Sequence, residues 1–272
     1  MHESLRSKHN DRILPGLKAL ERESELLEGA DPREVIAWAV ETYGEGLALS
    51  ASFGGGEGMA LLDMISKVTD KVTVLTIDTG FIFKETAEFR EEVMRRYKLP
   101  VEVLKPDLTI EEQVERFGEQ MRTCTPNLCC QIRKIEPLQK ALNRYDAWMT
   151  GIRREQTLQR ALNNYDAWMT GIRREQTPQR AGTKVVAWEE RYGAAKIAPM
   201  PHWTETQVWD YVRAHDVPVN PLLHQGYKSI GCEPQTRPVH DDEDPRAGRW
   251  SEMDKTECGI HFEDGRVSRA GA

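Results

Sequence analysis

Residues Gly46–Gly58 read GLALSASFGGGEG, and this stretch decides the fold. Its first part, Gly46–Ser52 (GLALSAS), is a short apolar run bounded by a glycine, as expected of a strand buried on both faces. Gly54, Gly55 and Gly56 follow in a row, and a helix is expected from about Glu57 to Val68. A strand, a glycine-rich turn and a helix let backbone N–H groups converge on an anion at the helix N-terminus. The loop lacks the Gly-Lys-Ser/Thr ending of a P-loop, so it poises no lysine for the terminal phosphates of a nucleotide. The alternative is an ordinary glycine-rich turn that binds nothing.

Working outward, the flanks repeat the alternation. Upstream, residues 1–30 are charged and polar and read as a helical lead-in. Asp31-Pro32 reads as an N-cap followed by proline at the first helical position. Val35, Ile36, Ala39, Val40 and Tyr43 then make a helical stripe that Gly44 ends. Downstream come a strand at Lys71–Asp78, an amphipathic helix at Lys84–Tyr97 and a strand at Val101–Pro106. Strands alternating with helices predict an α/β fold, a parallel sheet with helices on both faces. Ligands of such sheets bind at the carboxyl ends of the strands. Two loops lie there. The first offers Ser50, Ser52, Phe53, Gly54, Gly55 and Gly56 as candidate binding residues, and the second offers Asp78, Thr79 and Gly80. Asp-Thr-Gly reads equally well as a ribose- or base-binding edge and as an N-cap and turn.

The chain has 272 residues and a net charge of −7, enough for one large domain or a domain with a tail. No apolar run nears membrane-spanning length and no charged-then-apolar leader is present, so a cytoplasmic protein with reduced thiols is expected. The negative charge argues against a general nucleic-acid binder but leaves room for a local basic pocket. The 5 cysteines fall at Cys124, Cys129–Cys130, Cys232 and Cys258. Adjacent cysteines rarely bond to each other because the ring is strained. A vicinal pair with a distant partner therefore suggests shared metal or iron–sulfur ligation. Cys258, between Glu257 and Gly259 in a charged tail, reads as an accessible nucleophile. The alternative is a set of scattered, inert thiols.

Leu138–Thr157 recurs at once as Leu158–Thr177, with differences only at Lys140/Arg160 and Arg144/Asn164. Solenoids need more copies and their copies diverge, so this is a tandem duplication rather than a repeat fold. One copy is expected to supply the strand AWMTG and its arginine loop, and the other to be accommodated as an insertion.

SFGGGEG, IDTGFIFKET, CCQIRKIEPL, WMTGIRREQTPQR, GYKSIGCEP, TRP, DPRAGRW and KTECGIH occur in that order. Over about residues 35–262 the chain resembles the assimilatory adenylylsulfate and phosphoadenylylsulfate reductases, and most closely their bacterial iron–sulfur branch. The resemblance implies an adenine nucleotide alpha-hydrolase-like fold with a modified pyrophosphate loop. It also implies reduction of adenylylsulfate to sulfite and AMP through an S-sulfocysteine, with thioredoxin as donor. Residues 31–240 would form the reductase domain and 241–272 a flexible tail carrying the nucleophile.

Carried over residue by residue, the resemblance makes Cys258 the nucleophile. His261 is left out of the catalytic set. Cys129, Cys130 and Cys232 become ligands of a 4Fe–4S cluster, but the fourth ligand position is Gln235, and an amide oxygen is a poor ligand for iron in a sulfide cluster. With three thiolates a labile cluster of low occupancy is expected. The resemblance also points to Lys134, Arg173, Arg174, Arg237, Arg246 and Arg249 as cations lining the substrate site. Arg173 and Arg174 are preferred over Arg153 and Arg154 because Pro178 and Arg180 follow them as in the family. Two alternatives stay open: a phosphoadenylylsulfate reductase without a cluster, and a non-catalytic nucleotide- or metal-binding homologue. Homo-oligomer formation is also left open.

Overall fold

The computed structural model describes residues 4–6, 13–142, 165–190, 192–251, 253 and 255. In chain order the elements are β1 (Ser4–Arg6), β2 (Ile13–Pro15), α1 (Leu17–Leu26), α2 (Pro32–Tyr43), β3 (Leu47–Ser50) and α3 (Gly56–Ser66). Next come β4 (Thr73–Ile77), α4 (Lys84–Tyr97), β5 (Val101–Leu104), α5 (Ile110–Phe117), α6 (Met121–Cys124) and α7 (Pro126–Cys130). A π-helical turn at Gln131–Ile135 runs into α8 (Glu136–Leu142), followed by β6 (Ala167–Met169), β7 (Val186–Glu189), β8 (Ala194–Ile197) and α9 (Glu205–Ala214).

Local chemistry sets the helix ends. Asp31 accepts a hydrogen bond from the backbone N–H of Arg33, and Pro32 opens α2. Gly44 closes that helix with φ of 55°. Thr109 and Glu112 make reciprocal side-chain-to-backbone bonds at the start of α5, as Thr204 and Gln207 do for α9.

Six strands form one sheet in the order β5-β4-β3-β6-β8-β7. All neighbouring pairs run parallel except β7–β8, which is antiparallel. From β3 the chain steps outward through β4 to β5, then returns to place β6 on the other side of β3. The β3/β6 boundary is thus the topological switch point, where the carboxyl ends of the strands leave a crevice.

Side-chain alternation along the strands builds two cores. Leu47 and Leu49 of β3, Val74 of β4, Ala167 and Met169 of β6 and Ile197 of β8 point to one face, packed by α1, α2, α3, α4 and α9. Ala48, Leu75, Leu104, Trp168 and Ala194 point to the other, against Leu138, Ala141 and Leu142 of α8. The expected α/β sheet with helices on both faces is what the chain forms. Among the described residues no helix is long and apolar enough to cross a membrane.

The structure departs from expectation in three places. The charged lead-in carries an antiparallel pair, β1–β2, ahead of its helix. The α1 helix docks on edge strand β7, where the buried Ser24 hydroxyl accepts from the Val186 N–H at 3.1 Å. The segment expected to begin a flexible tail at residue 241 instead folds back as far as Trp250. Arg237 N–H donates to Gly248 C=O at 3.0 Å, Thr236 bridges Arg249, and Trp250 is 2% exposed. Lys255 is buried here against α7, where its Nζ reaches Pro126 C=O and Cys130 Sγ.

The duplication is resolved asymmetrically. Leu138–Leu142 of the first copy ends α8, whereas Ala167–Met169 of the second copy forms the sheet strand. Between them, residues 143–164 lie outside the described residues, and Arg153 and Arg154 with them.

Candidate active site

A cavity of about 290 Å³ opens at the carboxyl ends of β3, β4 and β6, at the switch point. Ser50, Ser52, Gly54 and Gly55 line one wall, where α3 begins with no side-chain cap at Gly55. Its first N–H groups therefore face a loop rather than a capping oxygen. Phe53 holds this loop: it sits in the left-handed region at φ of 56° while its ring is 1% exposed. Burial of the ring and an Asn220 Nδ2–H donated to Phe53 C=O at 3.0 Å offset the strain. Phe53 and Gly56 are thus scaffolding behind the cavity and do not line it.

Of the three residues nominated in the second loop, Thr79 alone is among the cavity's described lining residues. Asp78 accepts from Gly80 N–H at 3.0 Å, and Gly80 has φ of 74°, so these two residues make the turn. This geometry fits the turn reading of Asp-Thr-Gly. Buried Arg133 braces the loop: Nε donates to Thr79 C=O at 2.7 Å, and Nη1 donates to Leu108 C=O and Gln113 Oε1, each at 3.1 Å. Burial lowers the Arg133 pKa, opposed by nearby Cys129 and Cys232. The π-helical turn that carries Arg133 also aims Lys134 into the cavity.

Lys134, Arg180, Lys228, Arg246 and Arg249 line the cavity, and among the described residues no lining residue is Asp or Glu. Arg249 is seated by its neighbours: Nη1 donates to Ile230 C=O at 3.3 Å and to Ser229 Oγ at 3.4 Å, and the guanidinium lies 4.4 Å from the Trp250 ring centre. Gly231 allows this seat, because a Cβ there would overlap the guanidinium.

Three expected cations stand elsewhere. Arg173 is buried behind the loop, where Nη2 meets Glu57 Oε1 at 2.8 Å, Nη1 pairs with Glu175, and Nη1 also donates to Trp203 C=O. Burial alone would lower the Arg173 pKa, but Glu57 and Glu175 outweigh it and leave it raised. Arg174 forks onto Glu28 at 2.6 and 2.8 Å. Arg237 forks onto Glu243 at 2.7 and 3.0 Å, which holds the Glu243 carboxyl at about 2. Each is held by a carboxylate outside the cavity, which the motif string gave no means of seeing.

Sequence reading did not nominate Gln176, Arg180 or Lys228 for the site, although all three lie inside motifs quoted above. Gln176 is the organising group. Its Oε1 accepts from Arg173 N–H and Arg180 Nη1, and its Nε2 donates to Glu57 Oε1 at 3.0 Å. Buried Arg173 thereby fixes cavity-lining Arg180 through Gln176. Gly171 permits the close approach of this loop to α3, since a Cβ there would lie 3.1 Å from the Glu57 backbone.

Cys232 lines the cavity with its Sγ 3.5 Å from Thr79 Oγ1, and Cys129 and Cys130 are buried at the end of α7. Burial pushes the Cys129 thiol up, Cys232 adds to this, and Lys134 and Arg133 oppose it. Lys255 Nζ lies 3.2 Å from Cys130 Sγ. At the fourth cluster position, Gln235 Nε2 donates to Arg122 C=O at 2.9 Å and Oε1 accepts from Trp250 Nε1 at 3.2 Å. Among the described residues no group of three or more His, Cys, Asp or Glu side chains is placed to hold a metal ion. Among the described residues the donor set, Cys129, Cys130 and Cys232, falls short of a four-thiolate cluster. Cys258 and His261 lie outside the described residues, as does the Cys124 side chain.

Comparison with known proteins agrees with this geometry. A profile described as "Phosphoadenosine phosphosulfate reductase domain" matches residues 46–165 and 156–238. Both matches run into the duplicated stretch, so one pass over the domain needs only one copy. Adenosine 5'-phosphosulfate reductase of Halalkalibacterium halodurans is 44% identical over 88% of this chain and 94% of its own length. Adenosine 5'-phosphosulfate reductase 2 of Bacillus subtilis is 42% identical over 86% of this chain and 90% of its own. The crystal structure of phosphoadenylyl-sulfate reductase from Candida auris superposes with a TM-score of 0.63 at 30% identity, covering 80% of this chain and 95% of that one. Matched over most of its length in sequence and in fold, the chain belongs to the phosphoadenosine phosphosulfate reductase family.

Proposed function

We propose that this chain reduces adenylylsulfate to sulfite and AMP in sulfate assimilation, with Cys258 as nucleophile and thioredoxin as electron donor. The observation that carries the reading is the cavity at the switch point. In a chain of net charge −7 it gathers Lys134, Arg180, Lys228, Arg246 and Arg249 and, among the described residues, no carboxylate. Such a pocket suits a small, multiply charged phosphate–sulfate ester and disfavours a neutral ligand. Relatives named adenosine 5'-phosphosulfate reductase, at 40–44% identity, favour adenylylsulfate as that ester.

The chemistry follows from the groups present. Gly54 and Gly55 and the uncapped start of α3 bind phosphate oxygens, while the cations neutralise the charge gathering on the leaving phosphate. The Cys258 thiolate attacks the sulfuryl sulfur, and the bond from that sulfur to the bridging oxygen breaks. AMP departs with the bonding electron pair and leaves Cys258–S–SO₃⁻. A thioredoxin thiolate then attacks the Cys258 sulfur and expels sulfite, and the second thioredoxin thiol resolves the mixed disulfide. Lys255, anchored beside Cys130, lies three residues before Cys258, a span of at most about 10 Å of chain. The reaction belongs in the cytoplasm, where thiols stay reduced.

Incubation with adenylylsulfate in the absence of thioredoxin is expected to add the mass of SO₃ to the peptide containing Cys258. Cys258→Ser is expected to abolish the adduct and turnover while retaining AMP affinity. An adduct on another cysteine, or turnover by the serine variant, overturns the assignment. A higher kcat/KM for the 3′-phosphorylated ester would move the chain to the phosphoadenylylsulfate branch, which the Candida auris likeness keeps in view.

A further inference from the structure

We infer that a metal-free clamp centred on Gln235 does in this chain the structural work of a cluster, tying the Cys129–Cys130 segment to the root of the tail. All four polar groups of Gln235 are engaged. Its N–H donates to Cys232 C=O at 3.0 Å, and its C=O accepts from Trp250 N–H at 3.1 Å. Its side-chain amide joins Arg122 C=O in α6 to the Trp250 indole N–H, at 2.9 and 3.2 Å. The Trp250 ring in turn carries the Lys255 ammonium 5.3 Å from its centre. Lys255, 5% exposed, closes the circuit with Nζ 3.2 Å from both Pro126 C=O and Cys130 Sγ. The path therefore runs from α6 through Gln235, Trp250 and Lys255 to the end of α7.

Two features set this clamp against a cluster. Turning the Gln235 amide toward the thiols would leave the Trp250 N–H and Arg122 C=O without these partners in a part-buried place. The Cys130 sulfur also already accepts from the Lys255 ammonium, a contact that an iron bond at that sulfur would have to share or displace. A cysteine at 235 could not replace the amide, because a thiol lacks both the reach and the paired donor and acceptor. The position thus carries a working group of its own rather than a missing ligand.

The test uses the full chain, purified without oxygen and incubated with ferrous iron and sulfide. Iron content, acid-labile sulfide, thermal unfolding and hydrogen exchange are the readouts. The clamp predicts substoichiometric iron. In metal-free protein, Gln235→Ala is expected to lower Tm by roughly 2–6 °C. The same variant should speed amide exchange in residues 249–255. Trp250→Phe, which removes only the indole N–H, is expected to lower Tm by less and to be non-additive with Gln235→Ala. If Gln235→Ala does not fold, Gln235→Glu, which keeps the acceptor for Trp250, serves in its place with a smaller drop. Uptake of about four irons per chain, lost in Cys130→Ser, overturns the inference. So does a Gln235 variant with unchanged Tm and exchange. None of these readouts depends on turnover, so failure of the reductase reading would be seen separately.

Discussion

Replacing Arg173 with methionine separates a strut from a substrate ligand. The Arg173 side chain is 5% exposed and Glu57 is 23% exposed, so the pair sits at the inner edge of the loop that opens α3. Removing one member of a buried pair costs ~3–5 kcal/mol. The partial exposure of Glu57 and its second bond, from Gln176, lower this to roughly 2–3 kcal/mol. For a chain of this size that is a Tm drop of roughly 4–12 °C. Gln176 accepts from the Arg173 backbone N–H, which methionine keeps, so Arg180 stays oriented and AMP affinity is expected to fall by less than about tenfold. Thermal unfolding and calorimetric AMP titration of Arg173→Met measure the two effects. Arg173→Lys is expected to recover little of either, because an ammonium cannot reproduce the fork between Glu57, Glu175 and Trp203 C=O. A variant as stable as the parent with nucleotide binding abolished would refute the reasoning and make Arg173 a direct ligand.

Two further outcomes follow from the same geometry. Deleting residues 143–162, which joins Leu142 to Asn163 and leaves one copy of the repeat, is expected to preserve AMP binding and to shift Tm by less than about 3 °C. The junction links the end of α8 to the start of β6, at that strand's amino end, where Asp166 N–H donates to Gly46 C=O at 2.7 Å; loss of nucleotide binding would count against the expected tolerance. Gly231→Ala is expected to raise the KM for adenylylsulfate about tenfold or more, a shift of ~1.4 kcal/mol, with little change in Tm, because the added Cβ displaces the Arg249 guanidinium from the cavity. Unchanged KM would mean that Arg249 does not meet the substrate.

The sequence by itself determined the alternation of elements and the place of the site. Gly46–Gly58 fixes a strand, a glycine loop and a helix because each signal is local, an apolar run buried on both faces and then backbone freedom at glycine, just as the caps at Asp31 and Gly44 bound α2. Ordered motifs likewise carried the family. The tertiary structure decided which charges line the cavity. Arg173, Arg174 and Arg237 look like Arg246 and Arg249 in a motif string, yet the first three meet Glu57, Glu28 and Glu243, carboxylates that in the first two cases lie far away along the chain. Gln235 reads in sequence as a defective ligand. In space it meets Arg122 and Trp250, and its amide becomes a joint. Local signals travel along the chain within a turn or two, whereas ion pairs and buried hydrogen bonds are settled only when distant segments pack and must satisfy one another's polar groups.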